Sequence, residues 1–114
     1  MEADRRQKRV ASAIKEAMSR LLIREFRDAS SGLITVTRVE MTGDLKTAHV
    51  FLSLYGAADR EAFRALLEKR KGFFRKNLAS QVKLKYNPSL IFSLDSMAEF
   101  EEKLDRLIEM SKKR

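Results

Sequence analysis

The chain has 114 residues, with 24 Lys+Arg against 16 Asp+Glu, a formal net charge of +8, 44% apolar residues and no cysteine. That length fits one domain, and the balance of apolar and charged residues is that of a globular chain. The lack of cysteine excludes disulfides, thiol catalysis and Cys-ligated zinc or iron–sulfur centres, and no apolar run exceeds three residues, so no spanning helix is expected.

The first helix is expected from about Arg5 to Arg27, because Val10, Ile14, Ala17, Met18 and Leu21 recur on one stripe. At about 100° per residue, Arg9, Arg20 and Arg27 stack on its flank within about 20° of one another, with Glu16 beside them. Glu25 falls on the apolar side, which the pattern does not explain; fraying of the last turn is the expected reason, ahead of contact with a neighbouring backbone or a cation. Arg5 and Arg6 are not followed by the apolar segment of a leader peptide, so a cytoplasmic protein is expected. Asp28-Ala29-Ser30-Ser31-Gly32 reads as a loop.

Two strands follow. Ile34-Thr35-Val36-Thr37-Arg38-Val39-Glu40-Met41 is rich in β-branched residues, but its alternation slips between Val36 and Val39, which a bulge or burial on both faces would account for. Thr42-Gly43-Asp44 supplies turn chemistry, and Ala48, Val50, Leu52 and Leu54 alternate cleanly in the return strand. Asp59 can cap a second helix with the stripe Phe63, Leu66, Leu67, Phe74, Leu78 and Val82. One straight helix would put Arg70 in that apolar face and Gly72 in a helix interior, where glycine costs about 1 kcal/mol. A break near Arg70–Gly72, resuming at Phe73, removes both conflicts. Asn87-Pro88-Ser89 is a turn before a short strand, Leu90-Ile91-Phe92-Ser93-Leu94. A last helix is expected over about Met97 to Met110, with Phe100, Leu104, Leu107 and Ile108 apolar. The order α-β-β-α-kink-α-β predicts an α+β fold with helices on one face of a three-stranded sheet, plus a C-terminal helix. Residues 1–95 form the expected domain, and 96–114 the helix and basic tail packed on or extending from it.

The charge is unevenly placed. Residues 60–86 hold nine basic and two acidic side chains, whereas residues 39–59 hold one and three. Lys69, Arg70, Lys71, Arg75, Lys76, Lys83 and Lys85 follow one another with no intervening acid. A solvated helix face ordinarily mixes signs at i,i+4, and this run does not. Its cations repel unless an anion sits among them, so a polyanion-binding surface is expected. Sites for chemistry are lacking. His49 is the sole histidine; without Cys or a second His it cannot anchor an ordinary zinc site, and no nucleophile motif accompanies it. Glu40 and Asp44 read as a strand-edge charge and a turn residue. The four glycines form neither a P-loop nor a dinucleotide fingerprint. No enzyme activity, cofactor or metal is expected.

The order of elements resembles a KH-type domain in the arrangement with two strands before the paired helices. Such domains clamp a nucleic-acid backbone with a Gly-x-x-Gly loop; here the Arg70-Lys71-Gly72 break takes its place. Local sequence resembles the ribosome-binding factor A family: Arg9-Val10-Ala11, Arg24-Glu25, Asp28, Gly32-Leu33-Ile34-Thr35-Val36-Thr37, Val39-Glu40, Asp44-Leu45, Ala48-His49-Val50, and Pro88-Ser89-Leu90-Ile91-Phe92 with Asp95. The likeness covers roughly residues 5–95. Where the family usually has Pro after the loop Asp, this chain has Ala29, and where the family reads Ala-x-Gly at the kink it has Arg70. The resemblance implies a non-enzymatic factor that binds immature small ribosomal subunits and supports rRNA maturation, including the 5′ end, and growth in the cold. It also implies assembly GTPases as partners in release.

The expected RNA-contacting set is Arg70, Lys71, Gly72, Arg75, Lys76, Lys83 and Lys85 around the break, with Arg9, Arg20 and Arg27 from the first helix. Phe73 and Phe74 adjoin it and are expected in the core. No membrane partner is expected, and nothing demands more than a monomer. Two other readings remain at this point: a small DNA-binding or nucleoid protein, and an interaction module acting through the C-terminal helix.

Overall fold

The computed structural model describes residues 2–26, 33–55, 59–94 and 106–110. It contains α1 (Glu2–Glu25), β1 (Leu33–Met41), β2 (Thr47–Tyr55), α2 (Arg60–Lys69), α3 (Lys71–Gln81) and β3 (Ser89–Leu94), in the expected order. The loop at 28–32, Arg27 and most of the expected C-terminal helix lie outside the described residues. Residues 106–110 are helical and exposed, with Leu107 and Ile108 open to solvent.

The sheet runs β1-β2-β3, with β1 antiparallel to β2 and β2 parallel to β3. Parallel pairing needs a crossover, and the α2–α3 pair provides it. Pairing jumps from Val36↔Leu52 to Arg38↔Phe51, so Thr37 is the extra residue of a bulge, its hydroxyl donating to the Phe51 carbonyl at 3.1 Å. The bulge returns Val39 and Met41 to the side of Ile34 and Val36, which is how a strand with broken alternation still turns one apolar face inward. The core lies on that side: Ile14, Ala17, Met18, Leu21 and Leu22 of α1 and Phe63, Leu67, Phe74 and Leu78 of α2 and α3 join Val36, Ala48, Val50, Leu52, Leu54, Leu90 and Phe92 of the sheet. Arg38, Glu40 and Ile91 are exposed on the opposite face.

Asp59 caps α2 as expected, accepting from the Ala62 N–H at 3.0 Å. The break falls at Arg70, whose φ of −97° and ψ of 13° end α2, and α3 begins at Lys71, two residues before the expected restart. Gly72 therefore sits in the first turn of α3, and a Cβ added there would meet nothing within 4 Å. Leu66 departs from the expected stripe: it is 40% exposed, because the short α2 buries only Phe63 and Leu67.

Candidate nucleic-acid interface

Among the described residues, the run of cations through the break divides into those with protein partners and those without. Arg70 is the most committed. Its Nη2 donates to Glu25 Oε1 at 2.7 Å, with the two side chains 29% and 22% exposed. Its guanidinium carbon lies 4.4 Å from the Phe73 ring centroid and 5.5 Å from that of Phe74. A planar, delocalised cation can rest on aromatic faces while its edge meets a carboxylate. Two expectations are corrected here. The break does not take Arg70 off the apolar side; a paired, stacked guanidinium is tolerated there. Nor is Glu25 explained by fraying: α1 is intact to Glu25, and the Phe26 N–H continues the ladder to the Leu22 carbonyl at 2.9 Å. The hydrogen bond from Arg70, aided by Arg24, holds the Glu25 carboxyl below the usual carboxylate range.

Lys71 donates to Glu68 Oε2 at 2.7 Å, an i,i+3 pair that supplies a carboxylate from outside the acid-free run. Arg75 is turned to the backbone: its Nε donates to the Pro88 carbonyl at 3.0 Å and its Nη2 to the Asn87 carbonyl at 3.1 Å. Lys71 and Arg75 share a side of α3, about 40° apart, while Lys76 points about 140° away from Lys71. Phe74 is fully buried, and Phe73 is partly buried edge-on to it at 5.6 Å. Lys69 and Lys76 are exposed, and neither forms an ion pair among the described residues.

The cations at Lys83 and Lys85 belong with α1. Three contacts assemble their surroundings. Arg75 grips the 87–88 carbonyls, the Ser89 N–H donates to the Lys46 carbonyl at 2.8 Å, and Gln7 Nε2 donates to the Met41 carbonyl at 3.2 Å. The segment before β3, the β1–β2 turn and the first turns of α1 thus meet. Arg6, Arg9, Lys83 and Lys85 surround a concavity of about 210 Å³ between them. All four are exposed, and none forms an ion pair among the described residues. The turn is tightly specified: Asp44 Oδ1 accepts from the Thr42 hydroxyl at 2.6 Å and from the Lys46 N–H at 3.0 Å. These bonds, the hydroxyl first, depress the Asp44 pKa. Leu45 takes the left-handed conformation, φ 62°, beside the concavity. Arg6 and Tyr86 are absent from the expected RNA-contacting set; the mixed signs of the first ten residues hid the former, and a lone tyrosine carries no pattern.

Arg20 stands apart, exposed on α1 beside Lys15 and Glu16. His49 lies partly buried on β2, its ring stacked on Phe51 at 4.0 Å and its Nε2 2.7 Å from Ser93 Oγ. Glu40 pairs with Arg38 at 3.0 Å, and Asp44 serves the turn, so the two carboxylates act separately. Among the described residues no group of His, Cys, Asp and Glu could hold a metal ion, and no helix is long and apolar enough to cross a membrane.

Comparison with known proteins gives one consistent likeness. The family model described as Ribosome-binding factor A matches residues 6–108. A ribosome-binding factor A from Syntrophobacter fumaroxidans is 38% identical over 107 residues, covering 91% of this chain and 92% of the relative. The crystal structure of ribosome-binding factor A from Thermus thermophilus superposes with a TM-score of 0.67 at 20% identity, covering 77% of this chain and 94% of that one. A homology model of the Thermus thermophilus factor, fitted into the cryo-EM map of its complex with the 30S subunit, gives a TM-score of 0.62 at 24% identity, covering 73% and 88%.

Proposed function

The chain belongs to the ribosome-binding factor A family, and from that premise we propose that it binds immature small ribosomal subunits through rRNA phosphates and assists their maturation without catalysing a reaction. The observation that carries this reading is the set of exposed cations that no carboxylate neutralises among the described residues: Arg6, Arg9, Lys83 and Lys85 around one concavity, with Lys69 and Lys76 on the paired helices. Such cations lower the potential energy of a phosphate backbone and release its counterions on contact. Arg70, Lys71 and Arg75 shape the support that carries them. Backbone contacts of this kind read the shape of folded RNA more than its sequence. The complex of the Thermus thermophilus factor with the 30S subunit supports the choice of partner.

The test is sedimentation of the tagged protein with cell extract at increasing salt. The protein should travel with free small subunits, not with whole ribosomes, and leave them as salt rises. Reversing Arg9, Lys76, Lys83 and Lys85 to Glu should return it to the top of the gradient with an unchanged thermal transition. Reversing Arg70 and Arg75 would not be informative, since both hold the fold. A wild-type protein that never leaves the top, or a reversed variant that still travels with subunits, overturns the reading.

A further inference from the structure

The concavity beside Tyr86 has a second property that phosphate neutralisation does not use. Its lining includes half-buried Val10, Met41 and Leu84 and buried Pro88, an apolar wall beside the four exposed cations. Tyr86 lines the wall with 41% of its surface exposed. The ring also borders a neighbouring hollow that contains Lys46, and the ammonium groups of Lys46 and Lys85 lie over it, 5.4 and 5.5 Å from its centroid, so a base reaches a face of the ring by displacing one of these exposed lysines. A buried aromatic would need no such setting. An exposed one, beside an apolar wall and within reach of cations, presents a face to a flat, apolar group that carries a negative charge.

We propose that this concavity holds one unstacked nucleotide of single-stranded RNA, its base against Tyr86 and the Val10–Leu84 wall and its flanking phosphates on Arg6, Arg9 and Lys85. The inference deepens the proposed function and rests on it for the identity of the polyanion. Three features choose this occupant. About 210 Å³ is smaller than the roughly 300–1,000 Å³ of pockets for drug-sized ligands and cofactors, so one base is the fitting size. A duplex keeps its bases stacked and would leave the apolar wall empty, whereas single strands offer their faces to aromatic side chains. An acidic peptide would use the cations but has no flat group for the ring. The walls are also held in place beforehand, by the Arg75, Ser89 and Gln7 hydrogen bonds, so little ordering is needed on binding.

The experiment measures anisotropy of a labelled six-residue oligoribonucleotide on the full chain, against the same strand carrying abasic residues and against the same sequence within a hairpin stem. Wild type should bind the single strand about tenfold more tightly than the abasic strand, the difference a stacked base typically makes. Tyr86→Ala should lose that preference yet bind the abasic strand as wild type does. Tyr86→Leu, which keeps bulk but not the aromatic face, should behave alike and covers the case of a poorly folded alanine variant. Equal binding of intact and abasic strands by wild type, stem binding as tight as single-strand binding, or a Tyr86→Leu variant that retains the preference would overturn the inference. If wild type travels with small subunits but shows no base preference, the nucleotide site alone falls. A clear base preference in a protein that ignores subunits leaves the site standing and removes the assembly reading.

Discussion

Arg75 and Lys76 are neighbours in sequence, and replacing each by alanine should have opposite consequences. Arg75 donates two hydrogen bonds to the Pro88 and Asn87 carbonyls, at 3.0 and 3.1 Å. A hydrogen bond from a charged donor contributes about 1.5–3 kcal/mol, and the solvent-exposed bond to Asn87 counts for less. Arg75→Ala should therefore cost about 2.5 kcal/mol, a large part of the roughly 5–15 kcal/mol that holds a domain together. For a domain near this size the melting temperature should fall by roughly 10–20 °C. Lys76 is exposed and has no ion pair among the described residues, so Lys76→Ala should melt within about 2 °C of wild type. Its effect should instead appear in RNA binding. If about five phosphates are neutralised, the log–log salt slope for a single strand is near −3.5, a loss of roughly 100-fold between 50 and 200 mM salt. Removing one contact should reduce the slope by about 0.7. Melting followed by circular dichroism and anisotropy across that salt range measure both. A Lys76→Ala variant that melts like Arg75→Ala, or whose slope equals the wild-type slope, would refute the division into committed and available cations.

Phe74 is fully buried between Phe73 and Phe92, with ring centroids 5.6 and 5.9 Å away; Phe74→Ala should cost about 3–5 kcal/mol and leave much of the protein unfolded at 37 °C, as a denaturant titration would show. Acidification should destabilise the fold through Glu25 and Asp44, whose pKa values are both depressed, the first chiefly by Arg70 and the second by Thr42. A depressed carboxyl gives its full stabilisation above its unfolded pKa, about 4, and loses it as pH falls through the folded value. Glu25→Gln should therefore melt lower at pH 7 and show a shallower decline between pH 5 and 3; an equally steep decline would remove Glu25 from the account. Gly72→Ala meets open space in the first turn of α3, so it should raise stability by about 0.5 kcal/mol, read as a small rise in melting temperature. A fall would mean the backbone there needs glycine.

The elements of the fold were legible because each has a local cause. The α1 stripe, the slip that marks the Thr37 bulge, the Asp59 cap and the conflict at Arg70–Gly72 all lie within a few residues of what they determine. What escaped reading joins distant residues. Glu25 and Arg70 are 45 positions apart, and each alone is a charge on an apolar face, which sequence logic treats as a defect. Their pairing turns two defects into one contact that ties the end of α1 to the helix break. The parallel placement of β3 beside β2 likewise leaves no periodic mark, since both strands would alternate in the same way in either direction.

For the proposed site, charge density points to a stretch of chain without ranking the cations within it. Counting cations along 69–85 treats Arg70, Arg75 and Lys76 as equals, whereas geometry separates them by what their donors already hold. An arginine already bonded to a carboxylate or to carbonyls has its fork fixed in direction, so it cannot turn freely to meet an incoming phosphate. A lysine free in solvent loses only water and rotamer freedom. On the proposed reading Arg75 would contribute to binding at one remove, because by fixing the 87–88 carbonyls it helps set where Lys83, Lys85 and Tyr86 stand relative to Arg6 and Arg9. The basic run thus works as two layers. One layer is spent on holding a bent pair of helices and the loop after it, and the other stands on that support with no ion pair among the described residues.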